Sequence, residues 1–550
     1  MRIVTKTGID FNLPVDFEIE ITKYNAALTD SGEQSNPITL PPTPLNLKLV
    51  GWSNRIDAYY KPITNIDVLF LNGLSVKQAN LAIHNADEDE GISCTLYIGT
   101  GDFYSRVGNT RLNWLSWPTV KSPNYENESE EERVDYLISM LKQQFSNPHP
   151  LEQYKVAPVV TTEVIEWYDD GVSRKRPFIL NGFEDYFWIL PTEGEVNVQT
   201  FQGEYEHTIL KDDINVVLKK GYGMTPFLKL DYVLGFVFEK FGYSFDSSEI
   251  SALSVNLLSD TVILNNVSDA IYAGVLKYSQ LVPDMLIKDF IKETEKLLAG
   301  KFIANEITKV IKFRFYKNIL LSDVSVDLTP YLCSRIKLET PEFKIIKITV
   351  SDKLTETEEN VEDVERFEFD LLKESDMEII FRDDFEEADG AVFIKMVNTE
   401  GIIYLNSTFV MNGEKKESED KSATILQLFT ATDDWKATTI YDTEGRELLV
   451  KFKESYPFLN TQFTGSSLST IDRIKWMYDE YISFFKNSNI KVRATLMIPE
   501  HIFESIDQHL PVSLNGQKLL IEYLKKENTN VDSGVLTEGV FRTMRAYKER

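Results

Sequence analysis

Histidine and carboxylate side chains offer the first chemistry to look for, because together they could bind a divalent metal ion. His501, Glu504 and His509 lie close together near the end of the chain. Glu504 follows His501 by about one helical turn, but Pro511 and the turn near His509 break a shared face, and the spacing is not HExxH. The other histidines are scattered. We therefore predict no metal site and no cofactor.

Other catalytic patterns are also missing from the sequence. The segment from Gly99-Thr100-Gly101 to Gly108 lacks the spacing of a dinucleotide-binding GxGxxG loop, and we predict that it is a loop without a following helix. There is no GxSxG elbow and no Walker loop. Acid-rich segments always supply pairs of carboxylates, but nothing singles out a glycosidase pair. We predict that the protein is not an enzyme and assign no catalytic residue.

A cluster of aromatic residues could instead bind sugars. Between positions 160 and 190 the sequence carries Trp167, Tyr168, Phe183, Tyr186 and Trp188. Such rings could form a stacking platform, so the alternative function is a host-surface glycan-binding, or receptor-binding, protein. Alternating aromatics are also typical of strand interiors, and a β-core is the interpretation that we favour. Loss of glycan binding in Trp167→Ala and Trp188→Ala would favour the alternative.

Charge and composition exclude several further classes. The chain has 58 Lys and Arg against 86 Asp and Glu, a formal net charge of −28 without a strong basic cluster, which argues against binding DNA by phosphate neutralisation. The same charge would let DNA slide past without sticking. With 43% hydrophobic residues the chain is globular, and no apolar run is long enough to span a membrane. No signal peptide is visible, so we expect folding in a cytoplasm. Cys94 and Cys333 are predicted to be buried apolar residues.

The stretch from Met224 to Tyr316 is predicted to organise the fold, because a helix, a glycine and a strand occur there twice. The first helix ends at Gly242, ahead of Tyr243-Ser244-Phe245. The second spans the apolar positions from Leu286 to Leu298, and Gly300 is predicted to adopt the left-handed conformation after it. A hairpin around Asn305-Glu306 should complete a compact α+β unit.

The flanking regions are predicted to be rich in β-strands. Leu45–Val50 alternates as a half-buried strand would, and Asn72-Gly73 and Asn515-Gly516 are typical of tight hairpin turns. Before Leu45, the prolines of residues 31–44 predict a polyproline-like arm that reaches across a neighbouring domain or subunit. We predict a subunit interface at Pro41, Pro42, Pro44 and Leu45, with the two central helices as further interface elements. Deleting residues 31–44 is expected to weaken assembly without disturbing the fold.

Five domains are predicted from these changes in pattern. They are an N-terminal β-rich domain (1–124), a helix with an aromatic-rich β insertion (125–223), the central helix–hairpin unit (224–350), an acidic β-rich domain (351–465) and a helix with a small β-domain (466–550). The fold class is α+β, predominantly β, with several small β-barrel-like or sandwich domains.

Three segments resemble one protein family. They are Pro41–Leu47 with Ile56-Asp57, Lys61-Pro62, the Asn72-Gly73 hairpin and Trp114-Leu115; the paired helices and strands of the centre; and Ile490–Ile498 with Ile506-Asp507 and Pro511–Gln517. Together they resemble the tail hub, or baseplate hub, proteins of tailed phages, also called minor tail or tail-associated proteins.

The resemblance implies a structural virion protein. It would form a homotrimeric ring at the tail tip, assembled in the host cytoplasm, that joins the tail tube or distal tail protein to spike or fibre proteins. DNA would leave through its channel without specific binding. Some relatives carry a fused peptidase or a peptidoglycan-cleaving domain, and no such addition is found in this sequence.

Overall fold

The fold is that of a computed structural model, and the structure describes a defined part of the chain. The described residues are 1–15, 17–25, 28, 32–52, 54–55, 65–72, 75–98, 100–108, 110–146, 152–156, 159–169, 172–181, 187–190, 194–199, 203–204, 206–211, 214–251, 261–265, 267–305, 308–339, 347–350, 365–368, 379–380, 392–393, 404–405, 424–428, 436–441, 447–452, 455–456, 479–481, 483–484, 490–526 and 535–544.

Helices are short and few in this part of the chain. They are α1 (Pro44–Leu49), α2 (Thr100–Val107), α3 (Glu130–Ser146), α4 (Leu230–Lys240), α5 (Ser248–Ser251), α6 (Ile287–Leu297), α7 (Tyr316–Leu321) and α8 (Glu500–Ser505). Single 3-10 turns occur at Leu112–Trp114, Tyr125–Asn127, Tyr278–Gln280 and Thr329–Tyr331.

Strands dominate the described chain, so the predicted α+β fold with β predominating is confirmed. The strands of the first half are β1 (Arg2–Thr5), β2 (Ile21–Tyr24), β3 (Glu33–Ser35), β4 (Ile38–Leu40), β5 (Asn65–Asn72), β6 (Ser75–Asp87), β7 (Gly91–Ile98), β8 (Thr119–Val120), β9 (Tyr154–Lys155), β10 (Val159–Asp169), β11 (Val172–Leu180), β12 (Phe187–Leu190), β13 (Gly194–Gln199), β14 (His207–Lys211), β15 (Ile214–Leu218), β16 (Phe227–Lys229), β17 (Ser244–Asp246) and β18 (Thr261–Leu264). Those of the second half are β19 (Leu276–Lys277), β20 (Gly300–Asn305), β21 (Val310–Phe315), β22 (Lys337–Glu339), β23 (Lys347–Val350), β24 (Glu365–Glu368), β25 (Ile379–Ile380), β26 (Val392–Phe393), β27 (Tyr404–Leu405), β28 (Thr424–Leu428), β29 (Lys436–Tyr441), β30 (Glu447–Phe452), β31 (Ser455–Tyr456), β32 (Lys491–Ile498), β33 (Val512–Leu514), β34 (Gln517–Lys526) and β35 (Val535–Thr543).

The largest sheet joins the two ends of the described chain. Its strands run in the order β1-β5-β6-β7-β3-β2-β34-β35-β32-β22, with β4 beside β7 and β33 beside β34. The N-terminal and C-terminal parts meet where β2 pairs antiparallel with β34, Ile21 opposite Lys526 and Tyr24 opposite Tyr523. Segments that the sequence assigns to separate first and last domains therefore share one sheet, while the five domain boundaries stay predictions.

The central unit is confirmed as two helix–strand pairs that share a small sheet. Helix α4 leads to β17, helix α6 leads to β20, and the sheet order is β17-β21-β20. Strand β17 runs parallel to β21, while β20 and β21 form the predicted hairpin with Asn305 opposite Val310. On β21, Ile311, Phe313 and Phe315 are buried, as the alternation of the sequence predicts.

The two helix ends differ from each other, which corrects one prediction. After α4, the helix ends where it was predicted to, and Gly242 adopts the left-handed conformation with φ of 83°. After α6, the left-handed residue is Ala299, with φ of 51°, and Gly300 is already the first residue of β20. A Cβ atom on Gly300 would collide with the Arg314 carbonyl and the Phe313 ring. Glycine is needed there for close packing and not for a turn.

Two segments that were predicted to be a strand and a loop are helices. Leu45–Val50 forms most of α1, since Pro44 suits the first helical turn and the Thr43 hydroxyl accepts a hydrogen bond from the Asn46 amide. Residues 100–107 form α2, which packs Phe103 and Val107 into the central core. Both segments carry apolar residues at helical spacing as well, and tertiary burial selects the helix.

The predicted turn at Asn515-Gly516 is confirmed, with Leu514 paired to Gln517 at the end of β33–β34. The first hairpin also forms, but Asn72 is the last residue of β5 and pairs with Ser75, so the connection consists of residues 73 and 74, which lie outside the described residues. Asn515 and Gly516 both have positive φ, 51° and 71°, which is the conformation of a type I′ turn.

Several other predictions fall partly or wholly beyond the described residues. Of the predicted helix Leu468–Phe485, residues 479–481 and 483–484 are helical. The acidic segment 352–390 is described only at β24 and β25.

The two cysteines differ in burial. Cys94 is buried, and burial raises the pKa of its thiol to about 12. Cys333 is exposed, so its predicted burial is wrong. Among the described residues, no helix combines the length and apolar character needed to cross a membrane.

Candidate assembly surface

The histidine and carboxylate residues near the end of the chain do not converge on a metal site. His501 is exposed on α8, while His509 is buried and its Nδ1 lies 3.3 Å from Asn25 Oδ1. Glu504 forms an ion pair with Lys77 at 2.5 Å. Burial lowers the pKa of His509 to about 4, which keeps the ring neutral. Within the described residues, no group of three potential ligands is placed to hold a metal ion.

The predicted proline arm is part of the large sheet. Strand β3 lies between β7 and β2, and β4 pairs with β7. The prolines are placed where no ladder hydrogen bond is needed, with Pro37 between the two strands and Pro41 and Pro42 after β4. The prediction of a projecting arm is therefore wrong. Deleting residues 31–44 would remove two strands, so it could not leave the fold undisturbed.

The predicted interface residues nevertheless lie at the surface, at the start of α1. Pro44 and Leu45 are exposed, Leu45 by 37%, and Pro41 and Pro42 are half-buried. The opposite side of α1 is fixed, because Leu47 and the following Val50 are buried in the N-terminal core. We call Pro41, Pro42, Pro44 and Leu45 the proline corner.

Asn46 holds the proline corner in place. Its side chain is fully buried and its Nδ2 donates to the carbonyls of Asn12 and Pro41, at 2.8 and 2.9 Å. Its Oδ1 accepts from the Asn12 amide at 2.9 Å, and Asn12 Nδ2 donates to the Thr43 hydroxyl at 3.0 Å. A fully satisfied buried amide of this kind fixes the backbone around it. The corner is a small apolar surface on a rigid support, which suits contact with another protein.

A second exposed apolar residue was not predicted as an interface residue. Trp114 is 69% exposed at the end of a 3-10 turn. The turn is anchored by hydrogen bonds from Leu112 N to Met285 O and from Ile287 N to Thr110 O, at 2.8 and 2.9 Å. Its neighbour Trp117 is buried instead, with Nε1 donating to the Leu112 carbonyl at 2.7 Å. Nothing in the Trp-Leu-Ser-Trp pattern tells the two indoles apart, because the difference arises from packing against the core.

The remaining predicted functional elements are the central helices and the aromatic cluster between positions 160 and 190. Trp117 stacks on Phe236 at 4.1 Å between ring centroids, so α4 is covered on the side away from its buried face and leaves little surface for a partner. Trp167 and Trp188 lie on β10 and β12, in agreement with the predicted strands. The structure does not describe their side chains, and Phe183 and Tyr186 lie outside the described residues. The sugar platform therefore stays a prediction.

Comparisons with known proteins are few. No family model matches the sequence, and no curated protein matches it. Among solved structures, the 43 kDa tail protein of prophage MuSo2 from Shewanella oneidensis is similar, with 7% sequence identity and a TM-score of 0.29. The match covers 99% of this chain and 99% of that chain. Similarity at this level does not establish a common fold or a common function.

Proposed function

We propose that this protein is a structural component of a bacteriophage tail. More closely, we propose a homotrimeric hub at the tail tip that joins the tail tube to spike or fibre proteins and surrounds the channel for DNA. The supporting observation is that parts of the chain that resemble tail hub proteins, and lie far apart in sequence, meet in the structure. Strands β5 and β6 share the large sheet with β32 and β33, and the central pairs share one core.

Two further features support a role in assembly. The proline corner offers an apolar contact on a fixed helix, which lowers the entropic cost of association because little has to be ordered on binding. The net charge of −28 suits the wall of a channel that DNA passes without binding. No catalytic function is proposed, since the sequence carries no GxSxG elbow and no Walker loop.

The experiment is to measure the mass of the purified protein by light scattering, with negative-stain images of the same sample. The trimer should have a mass of about 190 kDa, three times the chain mass of 63.3 kDa, and a central hole. A sample that stays at the mass of one chain would contradict self-assembly into a trimer.

A point substitution tests the proline corner without damaging the sheet. Leu45→Asp places a charge in the proposed contact and should reduce the trimer to single chains, with the circular dichroism spectrum unchanged. Leu321→Asp is the matched control, since Leu321 is 56% exposed at the end of α7. A trimer that tolerates Leu45→Asp as well as it tolerates Leu321→Asp would remove the corner from the interface.

A further inference from the structure

The large sheet is continuous, but its N-terminal and C-terminal halves have separate hydrophobic cores. The N-terminal core contains Ile19 and Ile21, and the C-terminal core contains Ile521 and Leu524. The two cores share no residue. At the junction between β2 and β34, the polar or charged Thr22, Lys23 and Lys526 are buried beside the apolar Ile21 and Leu524. Apolar cores stabilise each half separately, whereas buried polar and charged side chains contribute to the contact between the halves.

Helix α8 lies across this junction and is held by lysines from both sides. Lys23 is 3% exposed, and its Nζ donates to the carbonyls of Phe503 and Glu504 at 2.8 and 3.3 Å, at the negative end of the helix. Lys77 bridges Glu33 and Glu504, both at 2.5 Å. Lys526 contacts Glu500 at 2.5 and 2.6 Å from the C-terminal side.

The charges of this junction are balanced. We call the group the seam, and it consists of Lys23, Lys77, Lys526, Glu33, Glu500 and Glu504. Three cations thus face three carboxylates. Burial lowers the pKa of Lys23, whereas at Lys77 the attraction of Glu33 and Glu504 outweighs burial and raises the pKa. Because the group is mostly buried, one added charge would be poorly screened by solvent.

His509 is placed to add that charge. It is 4% exposed and sits beside Asn25, whose backbone and side chain bind the C-terminal sheet. Asn25 N donates to Glu522 O at 3.0 Å, and Asn25 Nδ2 donates to Ile521 O at 2.9 Å. Since Asn25 Oδ1 can only accept, the neutral His509 ring donates to it through Nδ1.

The surroundings of His509 oppose its protonation. Burial is the main cause, and it lowers the pKa of the ring to about 4. Lys23 from β2 and Arg314 from β21 are the cations that act on the ring, and Asp507 on its own segment is the one opposing anion. When the seam opens, the ring regains water and its ordinary pKa of about 6.5. Acid therefore favours the open form as the pH falls from 6.5 towards 4.

We propose that the seam is an acid-sensitive joint, at which β2 and β34 separate while the N-terminal and C-terminal cores each stay folded. The proposal does not depend on the function in a phage tail. A joint of this kind would let the two halves of the large sheet change their relative position without unfolding either one. Opening would expose the edges of both strands, together with the lysines of the seam.

Hydrogen exchange of the full chain tests the proposal. After correction for intrinsic rates, the amides that point across the junction, those of Ile21, Lys23, Leu524 and Lys526, should lose protection by at least about tenfold between roughly pH 7.5 and pH 5, whereas alternate amides that bond to β3 or β35 should not. The amides of β20 in the central unit should keep theirs. Equal loss of protection in all three segments would show global unfolding and overturn the proposal.

Substitutions separate the role of His509 from a general effect of acid. His509→Asn keeps an amide donor for Asn25 but cannot be protonated, so the acid-induced exchange at β2 and β34 should largely disappear. His501→Asn removes an exposed histidine from α8 and should leave that exchange unchanged. If His509→Asn opens with acid as the unsubstituted protein does, the joint is not controlled by His509.

A covalent lock provides a test that does not depend on replacing His509. Thr22 lies opposite Lys525 across the junction, so Thr22→Cys with Lys525→Cys can be joined by a disulfide. The oxidised variant should keep its protection at roughly pH 5, and the reduced variant should lose it as the unsubstituted protein does. Equal exchange in the oxidised and reduced forms would place the acid-sensitive step elsewhere.

Discussion

The central unit and the seam both hold distant parts of the chain together, but with opposite kinds of side chain. In the central unit, Phe302 packs edge-to-face against Phe238 and Phe313, with ring centroids 5.3 and 5.1 Å apart. In the seam, Lys23 and Lys77 reach carbonyl and carboxylate oxygens of α8. Apolar contacts are non-directional and carry no charge, whereas a buried charge depends on every partner. The first region should resist changes of pH, and the second should respond to them.

The central core also contains a buried ion pair, formed by Glu295 and Lys301. Glu295 is 1% exposed, and it accepts from Lys301 Nζ at 2.8 Å, from the Phe302 amide at 2.9 Å and from the Tyr104 hydroxyl at 2.6 Å. Lys301 and Phe302 lie on β20, and Tyr104 lies on α2, which packs into the same core. A buried charge is thus compatible with a permanent core when its partners belong to that core. At the seam the partners belong to different halves of the sheet.

The largest effect is expected from opening a cavity in the central core. Phe302 is fully buried, so Phe302→Ala should lower the free energy of unfolding by about 4 kcal/mol, measured by urea denaturation. Because the contacts are apolar, the loss should be the same at roughly pH 7 and pH 5. Tyr136→Ala, at a position that is 36% exposed, should cost far less. A loss for Phe302→Ala that changes strongly with pH would weaken the contrast between the two regions.

A smaller effect is expected from removing one charge of the seam. Lys77→Met leaves Glu33 and Glu504 facing each other without their shared cation, which should cost about 3 kcal/mol at neutral pH. The side chains of these three residues are 17%, 11% and 20% exposed, so solvent screens the repulsion only in part. Adding Glu504→Gln to Lys77→Met should recover part of the loss, because it removes one of the two facing carboxylates. Strictly additive losses would mean that the three groups do not act together.

Local patterns explain why much of the central unit could be predicted from sequence. Leu230, Val233, Leu234, Val237 and Phe238 repeat at helical spacing within a few turns, and all five are buried. The β20–β21 hairpin follows from alternation over adjacent residues. At the proline corner, Leu45–Val50 was assigned to a strand because its leucines stand at every second position, whereas the buried apolar residues, Leu47 and Val50, have helical spacing.

The seam could not be predicted for the opposite reason. Lys23 and Phe503 are separated by 480 residues, and each lies in a segment with no unusual pattern of its own. A lysine in a strand is usually solvent-exposed, and this one is buried because β2 pairs with β34 and its Nζ contacts α8. Trp114 and Trp117 show the same limit at short range. One is exposed and the other is buried because of what packs against them, and their spacing in the sequence does not reveal the difference.

The smallest changes in stability are expected at Gly242 and Gly300. Both glycines follow a helix in the sequence, but they have different roles in the structure. Gly242→Ala should cost about 1 kcal/mol, because the new methyl group meets open space and the loss comes from holding alanine at φ of 83°. Gly300→Ala should cost about 2 kcal/mol, because its methyl group would press on the Arg314 carbonyl and the Phe313 ring, inside the aromatic core. Urea denaturation of both variants measures the difference. If Gly300→Ala costs no more than Gly242→Ala, the core of the central unit yields to an added methyl group. The contrast between a rigid apolar unit and a seam that opens would then lose its structural basis.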